Sequence, residues 1–374
     1  MIQMLSPEGE RVHSGEYDGF AAELDEGDMR DFYRDMVLMR RIDHEGEALQ
    51  RRGELGLWAP MRGQEGAQIG LGRALRPQDF VFPTYREHAV GYIRGLPPES
   101  VMAMFRGQSH GGWDPQEHRF NNYAIVIGSQ TLHATGYAMG VDLDGAVGTG
   151  DETRDTATVA CFGDGASSQG DVSEALTFAG AFGAPVLFFC QNNQWAISEP
   201  TTVQTPVPLF RRGEGFGVPG VRVDGNDVLA MYAVARASLD SVRAGHGPLL
   251  IEAYTYRMGA HTTADDPTKY RDDAVTEAWA AKDPISRVRA FLTNHTDTPE
   301  EFFDEVDREA EALAVRVRDA VLAMEEPALD QLFDHAYATE HPLVAQEKAQ
   351  YQEYLAGFAD APESRDAQGT GAAR

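Results

Sequence analysis

The middle of the chain alternates between two kinds of apolar pattern. Short unbroken runs, "TATVACF" (156–162), "APVLFFC" (184–190) and "PLLIEAYTY" (248–256), have the length and the β-branched and aromatic content of buried strands. Between them lie stretches of helical length: "GDVSEALTFAGAFG", rich in small residues, and "NDVLAMYAVARASLDSVRAGHG", entered from "VRVDG". Strands joined by helices of this size require crossover connections, which predicts an α/β fold with a parallel sheet flanked by helices on both faces. Upstream, Phe32, Met36, Met39 and Ile42 recur at helical spacing and predict an amphipathic helix. Downstream, the Asp-Pro start of "DPISRVRAFLTNH" and the acidic first turn of "PEEFFDEVDREAEALAVRVRDAVLAMEEP" predict two more helices.

The same pattern divides the chain. Residues 1–30 are acidic and poor in apolar periodicity, which reads as a flexible arm, mobile or draped over the domain. The α/β domain spans residues 31–330. Residues 331–374 form a C-terminal extension, ending in "GFADAPESRDAQGTGAAR", whose composition is that of a disordered tail. No internal repeat is visible.

Charge narrows the partners. Asp and Glu number 59 against 32 Lys and Arg, for a net charge of -27 spread along the whole chain. Nucleic acid and anionic membrane are therefore excluded as general partners. Lysine occurs only at Lys269, Lys282 and Lys348. An acid-rich, lysine-poor surface suits high salt, where screening removes self-repulsion, so a halophilic cytoplasm is expected. Cys161 and Cys190 each close an apolar run and read as buried strand residues, with no spacing for zinc or a disulfide framework. The first twenty residues lack a basic segment followed by an apolar one, and no apolar run is long enough to span a bilayer, so a soluble, unexported protein is expected.

Chemistry concentrates at residues 161–193. "CFGDGASSQGDVSEALTFAGAFGAPVLFFCQNN" carries Gly163-Asp164-Gly165 after one strand and Asn192-Asn193 at the end of the next. Ligands in such sheets bind beyond the carboxyl ends of the strands. Alone, the first tripeptide is a turn and the second dipeptide a cap. Together at neighbouring strand ends they offer a carboxylate and an amide oxygen beside glycines that admit a ligand closely, a hard-oxygen set suited to Mg²⁺ and a diphosphate.

The stretch resembles the thiamine-diphosphate motif. More narrowly, "VACFGDGASSQGDVSEALTFAGAFGAPVLFFCQNNQWAISEPTTVQT" is similar to the alpha subunit of the decarboxylating component of 2-oxo acid dehydrogenase complexes, the pyruvate and branched-chain group. "LWAPMRGQEGAQIGLGRAL", "DFVFPTYREHAVGYIRG", "IGSQTLHATGYAMG", "VRVDGNDVLAMY" and "YRMGAHTTADDPTKYR" recur in that family's order, covering residues 30–330. The resemblance implies that Asp164 and Asn193 ligate Mg²⁺ by side chains and Trp195 by its carbonyl. It implies that Gly165, Ala166, Tyr85, Arg86 and His261 meet the diphosphate, with His261 also reaching the reaction centre. Ile127 would meet the aminopyrimidine through its backbone, with Gln130 in the adjoining turn. In some relatives the segment corresponding to Ser129 and Gln130 holds a monovalent cation as well. His110 and His118 are candidates for the substrate entrance.

The implied chemistry is decarboxylation of a 2-oxo acid on thiamine diphosphate and transfer of the acyl group to a lipoyl domain. In the family the beta subunit supplies the glutamate that activates the cofactor, so this chain is expected to work only in an α₂β₂ heterotetramer. Gly136 and Gly140 suit close helix approach, either in that assembly or within the chain. "FPTYREH" and "FFCQNNQWAIS" are similar to branched-chain relatives, whereas "GQEGAQIG" and "FRGQSHGG" are similar to pyruvate relatives; an acetoin-cleaving relative shares these motifs. Two other classes compete. A non-catalytic regulatory subunit would keep the fold, and a nicotinamide-binding dehydrogenase would need a glycine fingerprint between strand and helix. "GAVGTG" (145–150) precedes a strand, among acidic residues, and reads as an exposed connection.

Overall fold

The computed structural model describes residues 1–108, 112–328, 330–334 and 336–358. The apolar runs form strands β2 (Thr158–Gly163), β3 (Val186–Asn192) and β5 (Leu249–Tyr254), and "VRVDG" forms β4 (Gly220–Asp224). A three-residue strand too short for its own pattern, β1 (Phe80–Phe82), precedes them. All five are parallel, in the order β1-β2-β3-β5-β4, so the sheet predicted from the crossovers is present. Gly163 pairs with Gln191, which sets Asp164 beside Asn192 at adjoining strand ends.

Side chains alternate between two apolar layers, as the pleat demands. Val159, Cys161, Leu187, Phe189 and Ile251 enter one layer; Ala160, Phe162, Phe188, Cys190 and Leu250 enter the other. Both cysteines are buried and free, on opposite faces. The site and its support involve helices α1 (Glu26–Arg51), α2 (Glu65–Ala74), α3 (Ser129–Leu143), α4 (Gly170–Phe182), α5 (Val228–Arg243), α6 (Pro284–His295) and α7 (Glu300–Leu322). The first layer is thick, with α5 against the sheet and α2, then α1, α6 and α7 built outward. α3 and α4 cover the second layer.

Local chemistry starts these helices where the sequence predicts. The α1 face holding Phe32, Met36, Met39 and Ile42 is buried. Its N-terminus is a reciprocal cap, Asp28 N–H to Asp25 at 3.0 Å and Asp25 N–H to Asp28 at 2.9 Å. Asp283 accepts from the Ile285 and Ser286 N–H groups and opens α6 ahead of Pro284.

The first residues lie against the domain, the draped form of the arm and not the mobile one. Leu5 is fully buried, and Ile2 pairs in parallel with Val223 of the edge strand β4. The Met4 and Leu5 N–H groups donate to Asp227 at 2.7 and 2.6 Å, and Arg287 donates to the Leu5 carbonyl at 2.8 Å. The physical reason is that two apolar side chains and a buried carboxylate in need of donors outweigh the acidity of the segment. One compact unit therefore runs Met1–Met324, and a second begins at Glu325. The second unit contains helices Gln331–Asp334 and Pro342–Ala356; the rest of the predicted tail, from residue 359, lies outside the described residues. The "GAVGTG" connection is largely exposed, tied by Asp155 to Thr149 and Gly150.

Candidate active site

The ends of β1, β2 and β3 open on one cavity of ≈ 240 Å³. Tyr85, Arg86, Ile127, Gln130, Asp164, Gly165, Ala166, Asn193, Trp195 and His261, the residues that the resemblance assigns to cofactor and metal, line it. They come from five separate segments. His118 lies away from this cavity, in the short helix Pro115–His118, with its carbonyl accepting from Arg94; His110 lies outside the described residues.

Asp164 stands at the end of β2 and is 1% exposed. Its side-chain hydrogen bonds fall on one oxygen, Oδ2, from Thr201 at 2.7 Å and Gln204 at 3.3 Å. Burial raises its pKa above the ordinary carboxylate value, and Thr201 opposes the shift. Asn193 is oriented by Gln64, whose Oε1 accepts from its Nδ2 at 3.1 Å, leaving Oδ1 near the Trp195 N–H at 3.3 Å. The chain then turns back through Gln194 and Ile197, both non-glycine residues with φ near +71° and +55°. That strained reversal is at the cavity wall, where such conformations concentrate. Gly165 must lack a side chain, because a Cβ there would stand 2.6 Å from that of Ala196. The turn Ala166–Ser168 comes next, and its first hydrogen bonds are donated by Ser167 and Ser168. The Gly165 and Ala166 N–H groups lie ahead of those bonds and suit an anion.

Arg86 is 5% exposed and donates to the carbonyls of Pro60 and of His261, the latter at 2.8 Å. Arg257, fully buried, donates to the carbonyls of Ile197 at 2.7 Å and Trp195 at 3.3 Å. Among the described residues neither guanidinium forms an ion pair with a carboxylate, and Arg86 is the cation that lines the cavity, together with the carboxylates of Glu87 and Asp164. Burial, then Arg86 and Arg257, lowers the pKa of His261 to about 3. Its Nδ1 lies 3.3 Å from Arg86 and 3.4 Å from Arg257, both pure donors. Nδ1 is thus the acceptor, and the neutral ring carries its proton on Nε2. Gln130 donates to the Cys161 carbonyl at 2.8 Å, while its buried Oε1 has no partner among the described residues.

Sequence reasoning missed the residues that orient this set, three of which, Gln64, Glu87 and Gln191, line the same cavity. Gln64, Glu87, Gln191, Thr201, Gln204 and Arg257 orient the others, from positions up to 129 residues away. One signal was present: "GQEGAQIG" is buried throughout, and two glutamines and a glutamate on a buried segment of small residues must find partners.

A parallel sheet with a carboxylate and an amide at neighbouring strand ends, beside the buried Arg86, is an arrangement suited to a phosphorylated ligand. The chain belongs to the family described as Dehydrogenase E1 component, whose model matches residues 33–328. Thiamine diphosphate is the cofactor that this membership implies. The chain is 43% identical over 357 residues to the 3-methyl-2-oxobutanoate dehydrogenase subunit alpha of Mycobacterium tuberculosis (strain ATCC 25618 / H37Rv), covering 95% of this chain and 94% of that protein. It is 38% identical to the pyruvate dehydrogenase E1 component subunit alpha of Acholeplasma laidlawii (87% and 93% covered) and 37% identical to that of Bacillus subtilis (strain 168) (78% and 76% covered). No helix among the described residues is long and apolar enough to cross a membrane.

Proposed function

We propose that this chain is the alpha subunit of a 2-oxo acid dehydrogenase acting on pyruvate or a branched-chain 2-oxo acid. It binds Mg²⁺-thiamine diphosphate for oxidative decarboxylation and acylation of a lipoyl group. The observation that carries the reading is a buried Arg86 with no carboxylate partner among the described residues, sharing one cavity with Asp164 and Asn193. The donor set fits the cofactor. An anion answers Arg86, which has no carboxylate partner among the described residues, a hard cation answers Asp164, and the orphaned Oε1 of Gln130 suits an amine donor or a monovalent cation beside Ser129.

When bound, thiamine diphosphate supplies the carbanion that attacks the 2-oxo carbon and the sink for the electrons left by carbon dioxide. This chain's residues bind and orient. Asp164, Asn193 and the Trp195 carbonyl hold Mg²⁺; Tyr85, Arg86 and the Gly165 and Ala166 N–H groups hold the diphosphate; Ile127 meets the aminopyrimidine through its backbone. His261, neutral with its proton on Nε2, donates towards the phosphate and the reaction centre instead of adding charge. Arg86 and Arg257 fix that ring from behind.

The partners are a beta subunit, in an α₂β₂ heterotetramer, and the lipoyl domain of an acyltransferase. Support comes from the surface beside the cavity. Ile125 and Val126 are 62% and 72% exposed at its rim, Phe178 and Phe182 are exposed on α4, and a Cβ at Gly136 or Gly140 would meet nothing within 4 Å. Those glycines therefore do not serve packing within the chain, which favours the assembly alternative. Two thiols that stay free suit a reducing cytoplasm.

The test is 2-oxo acid-dependent ferricyanide reduction by the chain co-expressed with its beta partner, with and without thiamine diphosphate and Mg²⁺. Pyruvate, 3-methyl-2-oxobutanoate and acetoin are compared in parallel. Cofactor-dependent turnover that Asp164→Ala abolishes is expected. An assembled pair that neither binds cofactor nor turns over would leave a regulatory subunit.

A further inference from the structure

A buried chain of polar side chains runs along the cavity wall, where Thr84, Glu87 and Gln191 are part of the lining. Gln68 on α2, Glu87 after β1 and Gln191 on β3 are 0%, 1% and 2% exposed. The Ala89 N–H donates to Gln68 Oε1 at 3.0 Å. Gln68 Nε2 donates to Gln191 Oε1 at 3.1 Å and to the Arg86 carbonyl at 2.9 Å. Gln191 Nε2 donates to Glu87 Oε1, and Glu87 Oε2 accepts from the Thr84 N–H at 2.6 Å and the Thr84 hydroxyl at 2.7 Å.

Each link has a direction, and backbone N–H groups fix both ends. Ala89 forces the Gln68 oxygen towards itself, so the Gln68 amide must donate. Gln191 must then accept from it and donate onward, and its onward partner must be a pure acceptor. An ionised carboxylate at residue 87 meets that demand. The Thr84–Arg86 turn is thereby tied to the end of β3, whose next residues include Asn193, across the intervening strand β2. The Arg86 guanidinium is held by the Pro60 and His261 carbonyls, and this tether holds the Arg86 backbone from which it extends.

We propose that Glu87 and Gln191 are positioning residues that fix Arg86 relative to Asn193 through this one-way chain of hydrogen bonds. The proposal rests on the cofactor reading only for its affinity consequence. The directionality makes a sharp forecast. Glu87→Gln alone sets a donor against the Gln191 donor, and Gln191→Glu alone sets two carboxylates together. The exchanged pair, Glu87→Gln with Gln191→Glu, restores every link. The carboxylate now at position 191 accepts from Gln68 and from the amide now at position 87, whose oxygen still accepts from Thr84.

The experiment uses the assembled α/β complex in two arms. In the first, amide exchange of the cofactor-free complex reports the Thr84 and Ala89 N–H groups. Each single variant is expected to exchange about tenfold or more faster there, and the exchanged pair to return to within about twofold of wild type. In the second, thiamine diphosphate Kd is titrated with Mg²⁺ by intrinsic fluorescence. The singles weaken it about tenfold or more, kcat at saturating cofactor falls less, and the exchanged pair recovers. Where a single variant fails to assemble, the exchanged pair decides: assembly with wild-type protection supports the proposal, and failure overturns it. Singles with unchanged protection, or an exchanged pair no better than its singles, also overturn it. Wild-type complex that shows the exchange pattern but binds no thiamine diphosphate would sink the cofactor reading and leave the positioning chain intact.

Discussion

Arg86 donates to the His261 carbonyl at 2.8 Å and stands 3.3 Å from the Nδ1 of the same residue. One guanidinium thereby fixes both the backbone of a loop 175 positions away and the tautomer of its ring. Charge and shape are both in use, which makes lysine a poor substitute. Arg86→Lys keeps a cation but cannot reach the Pro60 and His261 carbonyls in one plane. Thiamine diphosphate Kd is expected to weaken by a factor of about ten or more, on the order of one charged hydrogen bond, with a smaller change in kcat at saturation. Titration of the assembled complex checks this; an unchanged Kd would remove Arg86 from the diphosphate site.

The buried His88 gives a pH dependence that needs no cofactor. Its Nε2 faces the Ala59 carbonyl at 2.9 Å, its Nδ1 the Tyr123 hydroxyl at 2.7 Å, and its ring stacks on Trp58. Burial lowers its pKa from 6.5 to about 3. Between those values the unfolded chain binds a proton that the folded chain refuses. Stability from this residue is therefore complete above about pH 6.5 and lost as the pH falls towards 3. His88→Gln, which keeps a donor for Ala59, is expected to melt lower at about pH 7 and to lose less on acidification from about pH 7 to about pH 5. Parallel melting curves for the two proteins would contradict it.

Screening should stabilise a chain of net charge -27. Raising KCl from about 0.1 M to about 1 M shortens the screening length from about 10 Å to about 3 Å. The melting temperature is expected to rise by several degrees over that range. A flat or falling salt profile would remove the case for a high-salt cytoplasm.

Gly136 separates folding from assembly. It is exposed in mid-α3 with open space around it, so Gly136→Leu should raise helix stability by ~1 kcal/mol or less in the isolated chain. If this face receives a partner subunit closely, the same change weakens association by a factor of about ten or more. Sedimentation of the variant with its beta partner reads the second effect; unaltered assembly would place the interface elsewhere.

What was legible in the sequence was what is local. The strand runs and the alternation with helices specify a parallel sheet, and Asp164 and Asn193 belong to the site because they sit at strand ends. The order of strands was hidden, since β1 is three residues long and carries no pattern. The supporting residues were hidden for another reason: Gln191 meets Gln68 across 123 positions and Glu87 across 104, and no local period encodes such pairings. The first segment departs from its composition because two apolar residues, Met4 and Leu5, among many acids decide its fate by depth of burial.

That draped segment has a further effect. β4 lies at the margin of the sheet, and a bare margin invites pairing with a neighbouring molecule. Here the Ile2 N–H donates to the Arg222 carbonyl at 2.8 Å and the Asp224 N–H to the Ile2 carbonyl at 2.9 Å. The segment works as a selvedge, closing the weave against strangers. An affinity tag fused just ahead of Ile2 would tug on that border.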